Sequence, residues 1–481
     1  MTIRTGVKVG LAAALCGSTA LVLCDGTARA QKYDGSGLPT FIPHTLQQAF
    51  AAAYLTNPTL QSERANLRAT DENVPTALAG WRPTISGTTG LTYFQGTTSQ
   101  GGQFGGGSID APGYTSGVTI QQPIYAGGHT TSLTHEAVNR VMSERANLIA
   151  TEQTVFTNVV SAYVGVIQNQ QNLQIQTNNE KVLVEQLQAT NDRFRVGEIT
   201  RTDVAQAEAA LATARAQRQQ AEGQLQTAEA TYVQIVGMPP PPNLIPPQPL
   251  TLPVRNEQDV MAIAGSNNPT VIAALFTEAS EKDAVDVAFS ALLPKITAEA
   301  QYSHGVNQSF RGYQQDIKEA VLNFQIPIYQ GGAEYAAVRQ ARQTDQYARR
   351  QVDVQRRAAL QLAVSNWENL IAFRASIESN RTAVRANLIA LDGVERQAIV
   401  GTSTTLEVLQ QQQTLLSAQL ALVQSLSSMV IASYSVASAI GRLTAHDLKL
   451  NVPMYDETAY YKAVKDRLWG LNDYAVGQPG R

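Results

Sequence analysis

Length, composition and charge already restrict what this chain can be. It has 481 residues, of which 43% are hydrophobic, 16% charged and 6% aromatic, and its formal net charge at pH 7 is -3. A chain with this hydrophobic content can build a folded core, and it lacks the basic bias that favours nucleic acid binding. The composition therefore predicts a folded protein with no nucleic acid partner.

The N-terminal segment, 1–30, follows the plan of a secretory signal peptide. Arg4 and Lys8 precede an apolar run from Val9 to Leu23, and the segment closes with Ala28-Arg29-Ala30. This run is too short, and wrongly flanked, for a spanning helix. Both cysteines of the chain, Cys16 and Cys24, lie inside this N-terminal segment. We expect the segment to be cleaved on export, which leaves a mature chain with no thiol and no disulfide.

After residue 30, no stretch approaches the roughly 18 consecutive apolar residues of a transmembrane helix. A chain without such a helix can cross a bilayer only as a closed β-barrel, because each backbone polar group inside the hydrocarbon needs an internal partner. The chain must therefore supply amphipathic strands if it spans a membrane.

The same short phrases recur along the chain at nearly constant spacing. Pro123-Ile124-Tyr125 returns as Pro327-Ile328-Tyr329, and each copy is followed by a Gly-Gly pair. Further pairs recur at offsets of 211 or 204 residues: Asn57-Pro58 with Asn268-Pro269, Pro83 with Pro294, Val196-Gly197 with Val400-Gly401, and Gly237 with Gly441. The two offsets differ because a Gly-rich loop between Pro83 and Pro123 tolerates length changes. We therefore predict an internal two-fold structural repeat.

This repeat divides the mature chain into segments. An N-terminal segment, 31–43, precedes the first repeat, 44–240; a proline-rich linker, 241–254, is a stiff connector to the second repeat, 255–445. The C-terminal extension, 446–481, lies outside the repeat. Its sequence leaves open whether it packs around the helices or stays mobile.

Each repeat is predicted to contain one β-hairpin, at about 83–125 and about 294–329. In the second hairpin Ile296, Ala298, Ala300 and Tyr302 alternate with Lys295, Thr297, Glu299 and Gln301. This alternation fits a barrel wall between lipid and a wet lumen, and equally a water-exposed sheet of a soluble domain. Four strands cannot close a wide barrel, since even small membrane barrels use about eight, whereas three copies of the chain would supply twelve.

A long helical hairpin is predicted after each β-hairpin, at about 128–236 and about 332–440. No proline interrupts 128–195 or 332–397, and apolar residues recur at steps of four and three. A helix of this length extends roughly 100 Å. The Val-Gly pairs mark turns, or tips, at 196–200 and 400–404, because glycine suits the positive φ of a tight turn.

With its doubled PIYxGG phrase, paired Val-Gly tips and signal peptide, the chain resembles the TolC family of outer membrane efflux and secretion channels, over roughly 44–445. The resemblance implies a mixed α and β fold. In it a homotrimer forms a twelve-stranded transmembrane β-barrel, with four strands per protomer, in contact with outer membrane lipid. A long α-helical coiled-coil tunnel continues the barrel through the periplasm.

The function that this resemblance implies is passive exit of small molecules, drugs or secreted polypeptides across the periplasm and the cell outer membrane. The channel would work with a periplasmic adaptor (membrane fusion) protein and an inner-membrane transporter of the ABC or proton-driven type. The sequence identifies neither the cargo nor these partners, so drug efflux and type I secretion both stay open. The alternative is a periplasmic coiled-coil adaptor or scaffold without a pore, which would explain the helical hairpins but not four amphipathic strands.

Roles at the two tips also follow from the resemblance. Thr202 and Asp203 match the family's Thr-Asp pair, which helps to hold the entrance closed. Glu407 and Gln410 fall where the family has two aspartates that ring the pore aperture. Spaced i and i+3, these two share a helix face, and in a trimer they would form stacked rings that favour cations. The alternative is that both belong to a solvated helix face.

Several tip residues depart from the family pattern. Ser403 replaces the arginine that pairs with the Thr-Asp of a neighbouring hairpin, and Ala398 replaces a tyrosine that contacts the same aspartate. The closing salt bridge is therefore in doubt, and Arg201 is a candidate substitute. Because Gln410 replaces an aspartate, the ring is less acidic, and we expect weaker block by cations.

The tips themselves have two interpretations. By resemblance, the exposed turns dock the hairpins of the adaptor, and the residues expected there are Val196, Gly197, Val400 and Gly401. The alternative is that the glycines only allow the left-handed backbone of a turn. Elsewhere the five histidines are scattered and no phosphate-binding loop is present. The sequence therefore predicts no enzyme, no cofactor and no metal site.

Overall fold

The computed structural model describes residues 41–98, 107–308 and 312–471, a mixed α and β structure that is mostly helical. The first half begins with three short helices and continues with two strands and two long helices. Their bounds are α1, Leu46–Thr56; α2, Pro58–Asp71; α3, Asn73–Leu78; β1, Thr84–Thr98; β2, Gly107–Tyr125; α4, His129–Arg195; and α5, Arg201–Val236.

The second half has two shorter helices, two strands and two long helices, followed by one last short helix. Their bounds are α6, Glu257–Asn267; α7, Pro269–Ser290; β3, Lys295–Val306; β4, Gln314–Gln325; α8, Ala333–Ile399; α9, Thr405–Ala439; and α10, Ala459–Val464. Helices α4 and α8 both have 67 residues, which is about 100 Å of helix.

Both Asn-Pro pairs begin helices. Asn57 Oδ1 accepts a hydrogen bond from the backbone N–H of Thr59 at 3.0 Å, and Asn268 Oδ1 accepts one from the backbone N–H of Thr270 at 3.0 Å. The proline that follows each asparagine occupies the first helical turn, where its missing N–H leaves no hydrogen bond unmade. These caps fix where α2 and α7 start.

The four strands form one antiparallel sheet in the order β1-β2-β3-β4. The β1–β2 register pairs Gly87 with Val118, and the β3–β4 register pairs Ala300 with Ala320. The pairing of β2 with β3 shifts between Pro123 and Tyr125, where proline has no N–H to donate to the ladder. Strands β1 and β4 are the edges of the sheet in this chain.

The second β-hairpin is shorter than the sequence indicated. Strand β4 ends at Gln325, so Pro327-Ile328-Tyr329 lies outside the sheet, whereas Pro123-Ile124-Tyr125 is the end of β2. After each phrase a glycine begins a long helix: Gly128 has φ 83° and Gly332 has φ 86°. Only glycine adopts this left-handed conformation without steric cost, so the Gly-Gly pairs let the chain turn into α4 and α8.

The largest core lies where α1, α4, α5 and α9 meet. Phe50 and Phe156 are almost fully buried there, with their ring centroids 5.0 Å apart. The hydroxyl of buried Tyr163 donates to the backbone carbonyl oxygen of His44 at 2.8 Å, and it also lies 2.9 Å from that of Ile245. The linker is therefore fixed against the helices.

The C-terminal extension packs on the rest of the chain as far as Arg467, whereas Leu468, Trp469 and Leu471 are exposed. The backbone N–H of Tyr455 donates to the Tyr54 hydroxyl at 3.1 Å, and the Tyr460 hydroxyl donates to Glu72 at 2.8 Å. Further along, Arg82 Nη1 donates to the carbonyl oxygen of Arg467 at 2.8 Å. These contacts join the extension to α1, to the end of α2 and to the start of the sheet.

Beside this extension, Asp71 is fully buried, and neither carboxylate oxygen has a hydrogen-bond partner within the described ranges. Burial raises the pKa of Asp71 to about 7, against the opposing charge of Arg145. The folded state therefore keeps a proton that the unfolded chain has lost, and this carboxyl lowers stability as pH rises from about 4 to about 7.

We expect Asp71→Asn to stabilise the protein more at pH 8 than at pH 5, by a difference of about 1–3 kcal/mol, because the penalty for burying this carboxyl grows from about pH 4 to about pH 7. Thermal unfolding followed by circular dichroism at both pH values measures this difference. The control is Glu185→Gln, which also changes a carboxyl to an amide but at an exposed residue of α4, and whose effect on stability should be small. A shift of equal size at both pH values would show that Asp71 does not titrate as described.

Two helical stretches, Glu257–Ser290 and Thr405–Ala439, are long and apolar enough to cross a membrane by length and composition. Neither stretch contains a run of about 18 consecutive apolar residues, so the expectation stated for such runs is not contradicted. Packing against other helices, rather than a membrane, explains their apolar character. The first stretch is interrupted at Asn268, between α6 and α7, and the second is α9, which packs along α8 and contributes Leu416 and Val423 to the interior.

Candidate functional site

One face of the sheet is apolar and open. Leu91 is 87% exposed and Phe324 is 65% exposed. By the strand registers, the side chains on this face, called the apolar face below, include Ile85, Leu91, Tyr93, Val118, Ile120, Ile296, Leu322 and Phe324. Exposed apolar surface of this extent is unfavourable in water, so the face needs a partner or lipid.

The opposite face, called the polar face, carries most of the charged and amide side chains of β3 and β4. Its members include Lys295, Glu299, Gln301, Glu319, Asn323 and Gln325. Ile317 and Val321 are apolar exceptions on this face. A sheet with one apolar and one polar face, and with both faces open, is suited to separate lipid from water.

Far along the helical hairpins, the two tips have the same geometry. Gly197 has φ 81° and Gly401 has φ 80°, and a Cβ built on either would meet no atom within 4 Å. The turns therefore need glycine for backbone conformation rather than for space. Beside them Val196 and Val400 are each 72% exposed, so each tip presents an apolar side chain to solvent.

At the first tip, Asp203 closes a capping box at the start of α5. The Thr200 hydroxyl donates to Asp203 Oδ2 at 2.7 Å, and the Thr200 backbone N–H donates to the same oxygen at 2.9 Å. These two bonds hold the pKa of Asp203 below its usual value. Asp203 therefore stabilises the first turn of its own helix, where a negative charge is favoured.

Glu407 holds the equivalent position at the second tip, at the start of α9. The Ser403 hydroxyl donates to Glu407 Oε2, and the Thr404 backbone N–H lies 3.3 Å from that oxygen. The Ser403 hydroxyl, followed by the Thr404 N–H, lowers the pKa of Glu407. This carboxylate is exposed and stays ionised across the physiological range.

The remaining predicted tip residues are not brought together into one cluster within this chain. Thr202 and Arg201 are exposed on α5, Gln410 is exposed on α9, and Ala398 is buried near the end of α8. Sequence reasoning missed the caps Thr200 and Thr404, although each lies three residues before a carboxylate, and that spacing is the signature of a capping box. This signal was available in the printed sequence.

Near the tips, the two helical hairpins contact each other. Leu183 of α4 and Leu211 of α5 form a small buried cluster against Leu409 of α9. An open cavity of about 320 Å³ lies beside it, with Gln206 of the first hairpin and Gln410 of the second among its lining residues. The tips are therefore positioned by packing between hairpins as well as by their own turns.

Comparisons with known proteins identify the family. The family model described as "Outer membrane efflux protein" matches residues 51–238 and again 261–442. The chain belongs to the outer membrane efflux protein family. This family consists of channel and transport proteins rather than enzymes, and the chain is an outer membrane exit channel, as its sequence predicted.

Individual members of the family support the assignment. The chain is 36% identical to the outer membrane efflux protein BepC of Brucella suis biovar 1 over 436 residues, which cover 89% of this chain and 92% of BepC. It is 26% identical to the outer membrane protein TolC of Escherichia coli K12 over 423 residues, 84% of this chain and 83% of TolC.

Solved structures support the fold. The Campylobacter jejuni CmeC outer membrane channel superposes with a TM-score of 0.74 at 14% identity, covering 88% of this chain and 89% of CmeC. The outer membrane protein VceC of Vibrio cholerae superposes with a TM-score of 0.72 at 19% identity, covering 82% of this chain and 96% of VceC. The chain therefore shares the fold of outer membrane channels.

Proposed function

We propose that three copies of this chain close a twelve-stranded barrel in the outer membrane. The observation that carries the proposal is the sheet: it has an open apolar face, a polar face and two edge strands, β1 and β4, with unpaired backbone groups. Unpaired edges cannot remain inside a bilayer, and pairing β1 of one copy with β4 of the next satisfies both. The apolar face then contacts lipid, and the polar face lines the lumen.

The helices α4, α5, α8 and α9 are then the protomer's share of a periplasmic tunnel. Helices of 67 residues are longer than the core of an ordinary globular protein is wide, and both helical hairpins continue from the same sheet. The two matches of one family model support an internal two-fold repeat, with repeats at 44–240 and 255–445. The function is passive exit of cargo delivered by an inner-membrane transporter through a periplasmic adaptor.

Membrane fractionation tests this proposal against a periplasmic scaffold. We expect the protein to stay with the outer membrane on a density gradient and to resist extraction with carbonate. After solubilisation in detergent it should be a trimer. Recovery as a soluble monomer in the periplasmic fraction would contradict the channel and favour the scaffold.

The cleaved segment is proposed to be 1–30, and N-terminal sequencing of the same material tests this boundary.

At the tunnel entrance, we propose that Glu407 has two roles. Its carboxylate caps α9 in each protomer, and in the trimer three copies form an anionic ring around the aperture, with the neutral Gln410 one turn away. Ser403 hydrogen-bonds to Glu407 and so fixes this carboxylate instead of supplying the positive charge found in the family. Thr202 and Asp203 are proposed to contribute to closure on the neighbouring hairpin.

Glu407→Gln removes the negative charge but keeps the helix cap, because glutamine can also close a capping box. The substitution therefore tests the role of the charge alone. In planar bilayers we expect the cation preference and the block by multivalent cations to fall by at least about twofold, with the open channel intact. Glu198→Gln is the control: it removes a carboxylate at the first tip, where Glu198 pairs with Arg193 at 3.1 Å, and should leave both properties unchanged. Unchanged current in Glu407→Gln and Glu407→Ala would contradict the aperture role.

A further inference from the structure

The apolar face changes character towards the hairpin-turn end of the sheet. On β4, Phe324, Leu322 and Ala320 are followed on the same face by Lys318 and Asp316. On β3, Ile296, Ala298 and Ala300 are followed by Tyr302 and His304. If this face contacts lipid, as the proposed function requires, the change marks where hydrocarbon gives way to headgroups on the β3–β4 side of the sheet. On β1 the face stays apolar further towards the turn, at Leu91 and Tyr93, which the tilt of barrel strands allows.

Below that level, small side chains leave a groove in the apolar face. Ala300 pairs with Ala320, and Ala298 pairs with Leu322, across β3 and β4. A cavity of about 370 Å³ opens over these three alanines, with Ile120 on one side and Leu322 on the other. The groove extends from β2 across β3 to the edge strand β4, all on the apolar face. Closure of a barrel would add β1 of the next copy beside β4 in the plane of the sheet, which leaves the groove open to lipid.

Above the groove, polar side chains from three strands form a fixed network. The Tyr302 hydroxyl donates to Asp316 Oδ1 at 3.1 Å, and His304 Nδ1 lies 2.8 Å from the same oxygen. Because a carboxylate only accepts, Nδ1 carries the proton. The Tyr114 hydroxyl lies 3.1 Å from His304 Nε2, which ties β2 into the network. Asp316 Oδ1 therefore already accepts hydrogen bonds from Tyr302 and His304.

Lys318 lies beside this network and interacts electrostatically with Asp316 without forming an ion pair with it. It pairs across the ladder with Tyr302 and is two residues from Ala320, at the end of the groove. Within the described ranges, no carboxylate lies within 4.0 Å of its ammonium group. An ammonium group at the headgroup level attracts an anionic phosphate.

We propose that this face binds a phosphorylated acyl lipid of the outer leaflet, with one acyl chain in the groove over Ala298, Ala300 and Ala320 and its phosphate on Lys318 beside Tyr302. The proposal rests on the barrel of the proposed function. Lipid is the occupant because the groove is continuous with the apolar face and ends at a cation, which matches an acyl chain joined to a phosphate. The trimer would hold three such sites.

Native mass spectrometry of the detergent-purified full-length protein tests the site, with diphosphoryl lipid A as the probe. We expect up to three bound lipids per trimer. Lys318→Gln removes the cation and Ala300→Leu fills the groove, and each should weaken binding by about fivefold. On the polar face, Lys295→Gln makes the same change of lysine to glutamine and Ser303→Leu introduces the same leucine side chain, and both variants should bind as the unmodified protein does.

Two further arms identify what is recognised. Diacylglycerol, which has acyl chains and no phosphate, should bind weakly, and inorganic phosphate at the same concentration should not displace lipid A. Equal binding by all variants, equal binding of diacylglycerol, or displacement by inorganic phosphate would overturn the site. The same spectra distinguish failure of the lipid site from failure of the proposed function. An intact trimer whose variants bind lipid as the unmodified protein does overturns only the lipid site. Absence of a trimer overturns the barrel, and the lipid site with it.

Discussion

Leu322→Arg is expected to abolish assembly in the outer membrane. Leu322 is 52% exposed on the apolar face and pairs with Ala298. A charged side chain on the lipid-facing surface of a membrane barrel costs about 2–4 kcal/mol at the midplane, and a trimer carries the change three times. We expect outer-membrane trimer, measured by gradient fractionation and unheated gel electrophoresis, to fall by at least about tenfold.

The neighbouring residue supplies a matched control. Val321 is on the same strand but on the polar face, where it pairs with Glu299. In the proposed barrel Val321→Arg places the same side chain in the lumen, so trimer should assemble at close to the normal level. Equal loss with both substitutions would show that the sheet tolerates arginine on neither face, and the assignment of lipid and lumen faces would be wrong.

Replacing both tip glycines with tryptophan, Gly197→Trp and Gly401→Trp, is expected to abolish export while trimers remain in the membrane. At both positions the backbone is left-handed, and a Cβ meets no atom within 4 Å, so the direct cost to folding is about 1–2 kcal/mol of local strain per turn. The bulky side chains would occupy the surface proposed to dock the adaptor. We expect export, measured as accumulation of a pump substrate, to fall by at least about tenfold.

Gly312→Trp is the control for backbone strain. Gly312 also has a left-handed backbone, at φ 85°, and open space around it, but it precedes β4 in the turn of the second β-hairpin. It carries the same conformational cost far from the tips, so export should continue. Export that survives both tip substitutions would exclude docking at Gly197 and Gly401, and the glycines would then serve the turns alone.

The long helices could be predicted from sequence because their signals are local. An absence of proline and an apolar period near 3.6 over 128–195 and 332–397 predict helices, and the structure has α4 at His129–Arg195 and α8 at Ala333–Ile399. The Val-Gly turns are equally local, since a left-handed residue favours glycine. In each case the signal lies within a few residues of the feature that it predicts.

Other features could not be predicted because their causes lie far apart in sequence. The C-terminal extension is held by bonds such as that between Tyr455 and Tyr54, which are 401 residues apart, and no periodic pattern marks such a contact. The end of β4 at Gln325 depends on where pairing with β3 stops, which the alternation of side chains does not specify.

At the tips, resemblance and local geometry gave different information. The family pattern directed attention to Thr202, Asp203, Glu407 and Gln410 as gating residues. The structure adds that Asp203 and Glu407 are equivalent capping residues of α5 and α9. A cap needs only its own chain, whereas a gate needs the neighbouring protomers, so one chain reveals the first role and leaves the second as a proposal.

Disulfide crosslinking between edge strands tests the barrel most directly. Both cysteines lie in the segment expected to be cleaved, so a cysteine at Thr88 on β1 can be combined with one at Glu319, Val321 or Asn323 on β4 in an otherwise thiol-free chain. Within one protomer these edges are separated by two strands, about 14 Å, too far for a disulfide. We predict that oxidation of at least one pair in intact outer membranes gives a ladder ending at covalent trimer. Monomer alone with all three pairs would contradict a barrel closed by three sheets.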